Sequence, residues 1–343
     1  MTATTGRPAS AAVPASGDGP GRGSGRGSGR GSGLGSGRGP AHRPGRWVAP
    51  PRPVWEEAPS PAGLAGKGLV LALACLGILF PLWIVLVTSL SSRRTIDQAG
   101  GLVMVPKGIT FVAYRELLGG GQVTRAAVIS ILITVVGTLF SMAVSVLCAY
   151  GLSRTGSLGH RWILMTLLAT MFFSAGLIPT YLLVQSLGLT DTYLALILPS
   201  AISVFNILVL RGFFMGISPE LIDSARIDGA GDLRILWQIV MPLSRAVLAV
   251  ITLFYAVGYW SAWFNASLYL NDQDMMPLQN VMIQLVQKQE APVGLGQAIK
   301  TGELSGLAVQ MAVMVLALLP VAVLSPFVQK HFRKGMLTGA VKG

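Results

Sequence analysis

The sequence predicts an all-α polytopic membrane protein, with six transmembrane helices and a helix–turn–helix on the cytoplasmic side between the fourth and the fifth. Three observations predict it. Of 343 residues, 52% are hydrophobic and only 12% charged, where soluble chains carry about 25% charged residues. Six apolar runs are each long enough to cross a hydrocarbon core, which takes about 20 helical residues. One charged, helix-forming stretch, ELIDSARIDGAGDLRILWQIVMP, separates two of those runs.

Residues 1–66 come first. Their Gly, Ser, Arg and Pro repeats, as in GPGRGSGRGSGRGSGLGSGRGP, offer almost no apolar side chain to bury, so this segment is expected to stay disordered. A basic tail can bind RNA or anionic lipid, but aromatics for base stacking are not interleaved here. A solvated tail that biases topology is the reading favoured, with no nucleic-acid partner. No charged start, short apolar core and cleavage site occur in that order near Met1, so no signal peptide is expected. The net charge of +12 is inflated by this tail and says little about partners.

The membrane part, 67–343, follows. Its spans are expected at about 69–90, 126–152, 162–186, 193–214, 246–270 and 306–328. Pro81, Pro179, Pro199 and Pro320 fall inside these runs, which membrane helices tolerate when neighbours satisfy the freed backbone groups. Cys75 and Cys148 lie in apolar runs, suited to packing rather than to a disulfide framework. An even number of spans puts both termini on one side, and 19 of the 26 Lys and Arg residues fall on that side. The positive-inside rule then places both termini and the charged stretch in the cytoplasm, against the pull of Arg93 and Arg94 after the first span.

In the charged stretch and its flanks (218–242), Ser218-Pro219 is a helix start, with a capping hydroxyl and proline at the first helical position. Glu220 to Asp228 form a first helix, acidic near the favourable end of its dipole. Gly229 and Gly231 supply the reversal. A second helix, from Asp232 to Val240, carries Leu233, Leu236, Trp237 and Val240 at helical spacing, and Pro242 ends it. A helix lying in the membrane interface is the plainer alternative.

At these residues the chain resembles the "EAA" coupling motif of the membrane subunits of ATP-binding-cassette (ABC) importers, in which Glu-Ala-Ala, three residues, Gly, nine residues and Ile-x-Leu-Pro follow one another. Asp223-Ser224-Ala225 occupies the triplet, Gly229 the glycine and Ile239-Val240-Met241-Pro242 the end, with both spacings kept. The three departures preserve charge, size or hydrophobicity. ARIDGAGDLRILWQIVMPLSR, YWSAWFNASLYL and FVQKHFRKGMLTGAVKG resemble carbohydrate permeases of the maltose-permease type, in the group with lipoprotein-linked sugar permeases. The resemblance covers about 67–343.

It implies a bacterial cell-membrane permease subunit that imports a sugar beside a second permease, two copies of an ABC ATPase and an extracellular solute-binding protein, surrounded by membrane lipid. Glu220, Asp223, Ser224, Ala225, Asp228, Gly229, Ile239 and Pro242 would couple to the ATPase. Asp223 and Asp228 could accept hydrogen bonds from its Arg or Lys, with the apolar stripe as anchor. ATP and Mg would sit on that partner; this chain would bind no cofactor or metal and act as a non-catalytic subunit.

The residues agree. No Gly-x4-Gly-Lys-Ser/Thr loop occurs, GLAGKG at Gly63 to Gly68 lacking the first glycine and the hydroxyl. His42, His160 and His331 are scattered, which suggests neither a triad nor a metal site. Sugar recognition combines aromatic faces with polar groups, which nominates Asn206, Tyr255, Tyr259, Trp260, Trp263 and Asn265, although interfacial anchoring explains Trp and Tyr equally well. The outer loop 271–305 is long, polar and net acidic, with an amphipathic stretch around Val281 to Val286; it is either a variable linker or the landing place of the binding protein. An ion-coupled secondary transporter would show ionisable residues within its spans, and the spans hold almost none. A membrane enzyme would need His or acidic clusters near span ends, which are also missing. An ABC importer of a non-sugar solute stays open.

Overall fold

The structure is a computed structural model that describes residues 60–339, apart from 120, 155, 157–158, 288–298, 300–301 and 303. The tail through residue 59 and the outer-loop charges Lys288, Glu290, Lys300 and Glu303 lie outside the described residues. All regular secondary structure among the described residues is helical.

Helix α1 (Pro61–Ser89) begins ahead of the expected first span, so residues 61–66 are helical rather than part of the tail. Two short helices, α2 (Arg93–Ala99) and α3 (Val112–Leu118), lead into α4 (Gln122–Ser153). The chain continues through α5 (His160–Phe172), α6 (Leu177–Ser186), α7 (Leu194–Ile197) and α8 (Val204–Met215). Next come α9 (Pro219–Ile227) and α10 (Asp232–Ile235), the latter running through a π turn (Leu236–Val240) into α11 (Met241–Leu243). Helices α12 (Arg245–Trp260), α13 (Trp263–Tyr269), α14 (Leu278–Gln287) and α15 (Gly306–Gly339) complete the chain.

Among the described residues, three helices are long and apolar enough to cross a bilayer alone: α1, α4 and the Gly306–Val323 part of α15. The third, fourth and fifth expected spans are not continuous helices. The third turns through 115° between α5 and α6, at a loop ending in Gly176 with φ +85°. Such a backbone suits glycine. In the fourth, Pro199 lies between α7 and α8, and Ser203 restarts the helix by accepting a hydrogen bond from the Asn206 amide. The fifth breaks at Ser261-Ala262 without any glycine or proline to announce it. Arg245–Trp260 alone has 16 residues, which at 1.5 Å per residue is ~24 Å, short of a hydrocarbon core of about 30 Å.

Helix α4 is the axis of the core, packed against α12 and α8. Its buried face carries Ala126, Ser130, Gly137, Ser141, Ser145 and Ala149. Small residues at such spacing let helix backbones approach closely in lipid, where packing replaces the hydrophobic effect as the driving force. Gly137 is the tightest point: a Cβ there would stand 2.9 Å from three atoms of the Tyr259 ring. Cys148 is half-buried on the same helix, whereas Cys75 is exposed on α1 rather than packed.

Candidate functional site

The charged stretch forms a helical hairpin. The chain bends 74° between α8 and α9 and 88° between the 232–243 arm and α12, so the hairpin lies across the spans instead of prolonging them. Its first arm ends in a Schellman closure: Ala230 N–H donates to Ala225 O at 2.9 Å and Gly229 N–H to Arg226 O at 3.0 Å, with Gly229 at φ +80°. No atom lies within 4 Å of where a Cβ at Gly229 would sit. Glycine is therefore required there by left-handed backbone geometry, not by a clash within the turn. Ser218 does not cap; its hydroxyl donates to Glu220 Oε2 at 2.9 Å, while Ser224 Oγ donates back to Glu220 O at 2.7 Å.

Arg226 closes the hairpin electrostatically, reaching Asp223 at 3.8 Å and Asp232 at 3.5 Å. Both pairs are half-exposed and individually weak. Asp228 is exposed at the turn and Ala225 packs partly on the core. The expected apolar stripe of the second arm straddles the edge of the buried face: Leu236 and Val240 are buried at 1%, with Ile235, whereas Leu233 and Trp237 are 66% and 65% exposed. The outward apolar set is thus Leu221, Ile227, Leu233 and Trp237, and the inward set is Ile222, Ile235, Leu236 and Val240, with Ile239 partly buried and Pro242 in α11.

A second feature is an open cleft of about 500 Å³ lined by Ser200, Ser203, Asn206, Tyr255, Tyr259 and Asn265 among others. None of its lining residues is charged. The tyrosine hydroxyls are used by the protein itself. Tyr259 donates to Ile197 O at 3.1 Å and shares a 2.7 Å bond with Ser141, while Tyr255 shares a 2.6 Å bond with Ser145 and accepts from the Ser203 amide at 3.2 Å. Both rings are buried, Tyr255 at 5% and Tyr259 at 6%, so they back the cleft rather than face a guest. Hydrogen bonding in the cleft falls to the amides and hydroxyls, with Asn265 Nδ2 donating weakly to Ser200 Oγ at 3.4 Å. Such a lining offers uncharged amides and hydroxyls that can hydrogen-bond to the hydroxyl groups of a polar guest.

A family model described as "Binding-protein-dependent transport system inner membrane component" matches residues 125–338. The chain belongs to that family. Among this permease family's characterised members, it is 43% identical over 245 residues to the polygalacturonan/rhamnogalacturonan transport system permease protein YtcP of Bacillus subtilis (strain 168), covering 70% of this chain and 85% of that one. Protein LplC of the same organism is 39% identical over 265 residues, 77% of this chain and 90% of the relative. In three dimensions the chain resembles a bacterial ABC transporter involved in the import of the acidic polysaccharide alginate, with TM-score 0.75 and 31% identity over 82% of this chain and all of that one.

Within this permease fold, Asn206, Tyr255, Tyr259 and Asn265 come together in the cleft, and Trp260 and Trp263 do not. Trp260 is buried with its indole donating to Ala317 O at 2.9 Å. Trp263 is exposed, stacked edge-to-face on Phe264, and its carbonyl accepts from Asn280. Residue reading overlooked Ser141, Ser145, Ser200 and Ser203, whose polar atoms build or support the cleft. The small-residue periodicity of α4 was the signal that could have found the first two. In the 271–305 loop, Val281–Val286 lies within α14, which buries Leu278, Val281 and Leu285, and Asp274 pairs with Arg125.

Proposed function

We propose that this chain is one membrane half of an ATP-driven, binding-protein-dependent importer of oligosaccharides rich in uronic acids. The observation that carries the reading is the hairpin: a permease-family chain holds a rigidly closed, outward apolar surface of Leu221, Ile227, Leu233 and Trp237 on a cross-lying helix pair. A separate ABC ATPase carrying ATP and Mg docks there, with Asp223, Asp228 and Gly229 at its edge and Glu220, Ser224, Ala225, Ile239 and Pro242 holding the hairpin's shape. ATP-driven closure of two such ATPases displaces the hairpins and switches the spans between inward- and outward-facing states. The cleft, closed over by a second permease, carries the sugar delivered by an extracellular solute-binding protein. Both termini and the hairpin face the cytoplasm.

Two named similarities support the substrate class: a permease of polygalacturonan and rhamnogalacturonan and a transporter of alginate both handle uronate polymers. The Asn265 amide and the Ser200 and Ser203 hydroxyls, backed by the buried Tyr255, Tyr259 and Asn206, suit the hydroxyl groups of a pyranose unit. The test is uptake and ATP hydrolysis by the reconstituted complex with oligogalacturonates, alginate oligomers and maltotriose, comparing wild type with Gly229→Asp. A side chain at position 229 meets no atom of this chain but strains the left-handed turn, so complex assembly is measured beside uptake to separate loss of coupling from loss of the hairpin. Uptake and sugar-stimulated hydrolysis should be lost. Normal ATP-dependent uptake by the variant would sink the coupling role, and uptake driven by an ion gradient alone would replace the reading altogether.

A further inference from the structure

We infer that Tyr150, through Asp232, is a coupling residue: it makes α4 move with the hairpin, so that the cleft wall is displaced as one body. The inference rests on the transport reading above. Tyr150 is 7% exposed near the end of α4. Its hydroxyl accepts from Arg154 Nη2 at 2.9 Å and donates to Asp232 Oδ1 at 3.4 Å, while the Arg154 guanidinium lies 4.8 Å from the centre of its ring. Asp232 is the first residue of the second hairpin arm and is also held by Arg226, which grips Asp223 of the first arm. Through one hydroxyl, then, both arms of the hairpin are tied to α4. Arg211 Nε of α8 donates to Leu152 O at 2.9 Å and ties α8 to the same turn.

The other end of the relay is the cleft. Ser145 and Ser141, on the same helix, hold Tyr255 and Tyr259 by bonds of 2.6 and 2.7 Å. No proline interrupts α4 between these serines and Tyr150. Ser145 and Tyr150 are five residues apart, ~8 Å along the axis at 1.5 Å per residue, so a push at Tyr150 arrives at the clasp undamped. The hairpin also runs covalently into α12, which carries both tyrosines. If the hairpin drew α12 alone, α12 would shear past α4 and strain two short buried hydrogen bonds. The Asp232–Tyr150 contact removes that conflict by drawing α4 along.

The experiment uses the complete complex in proteoliposomes and reads oligogalacturonate taken up per ATP hydrolysed, for wild type, Tyr150→Phe, Asp232→Ala and the double variant. Tyr150→Phe keeps the ring under Arg154 and removes only the hydroxyl. Uptake per ATP should fall at least threefold in each single variant and no further in the double, the non-additivity expected of two residues in one contact. An unchanged ratio in Tyr150→Phe overturns the relay, as does a double variant whose loss is the product of the singles. Uptake and hydrolysis falling in proportion to assembled complex, measured by gel filtration, would mark a merely structural role and also overturn it. Wild-type complex that fails to couple ATP to uptake of any oligosaccharide fails the transport reading itself, before the variants are compared.

Discussion

Gly137 and Asp191 show how single residues hold this chain's shape for opposite reasons. At Gly137 the constraint is space. The Tyr259 ring against it is pinned by two hydrogen bonds through its hydroxyl, so it cannot yield to a methyl group 2.9 Å away. Gly137→Ala should destabilise the purified protein by about 1–3 kcal/mol, the usual cost of overpacking, and lower its melting temperature in detergent. An unchanged melting temperature would show that the tyrosine clasp is looser than drawn. At Asp191 the constraint is charge. This residue sits at φ +58°, and its carboxylate accepts from the Asn271 amide at 2.5 Å, from Asn271 Nδ2 at 3.0 Å and from the Asp272 amide at 3.4 Å. The backbone and side-chain bonds from Asn271 hold its carboxyl below the usual carboxylate range. Because the folded pKa is lowered, the stabilisation is present above the unfolded pKa and is lost as pH falls through the folded one. The melting temperature of wild type should therefore exceed that of Asp191→Asn at pH 7 and converge on it below about pH 4. A gap that is the same at both pH values would remove the carboxylate from the account.

At the scale of elements, the hairpin divides its apolar residues between two tasks. Ile222, Ile235, Leu236 and Val240 bury it on the spans, and Leu221, Ile227, Leu233 and Trp237 are left outside. A side chain that is 65% exposed contributes little to the folded chain alone, so Trp237→Ala should leave the melting temperature of the isolated permease unchanged. If the ATPase docks on this face, the same substitution should weaken its binding about tenfold, as loss of a central aromatic anchor does. Titration of the ATPase onto the permease in nanodiscs reads this directly, and equal affinity for both proteins would move the docking surface elsewhere. The first arm was readable from its proline start, its charges and Gly229, although Ser218 turned out not to cap it. The face presented by the second was not, because Leu233, Leu236, Trp237 and Val240 share one apolar arc and only packing against the spans decides which part of it is covered.

For the molecule as a whole, the sequence by itself determined the class, the apolar segments and the position of the hairpin. These follow from local quantities: runs of apolar side chains, a proline at a helix start, a glycine at a left-handed turn and the spacing of a motif. The tertiary structure alone decided which helices stay whole. Helix α4 runs unbroken for 32 residues, while the expected third and fifth spans break at 173–176 and 261–262. It also decided which aromatic residues back the cleft. Tyr255, Tyr259, Trp260 and Trp263 look interchangeable in the sequence. Two are held by serines of a helix more than 100 residues away, one is drawn to a carbonyl near Pro320, and one is left outside. Partners so distant along the chain leave no local pattern, since their choice depends on how closely the backbones approach, and that distance is set by the small residues of α4.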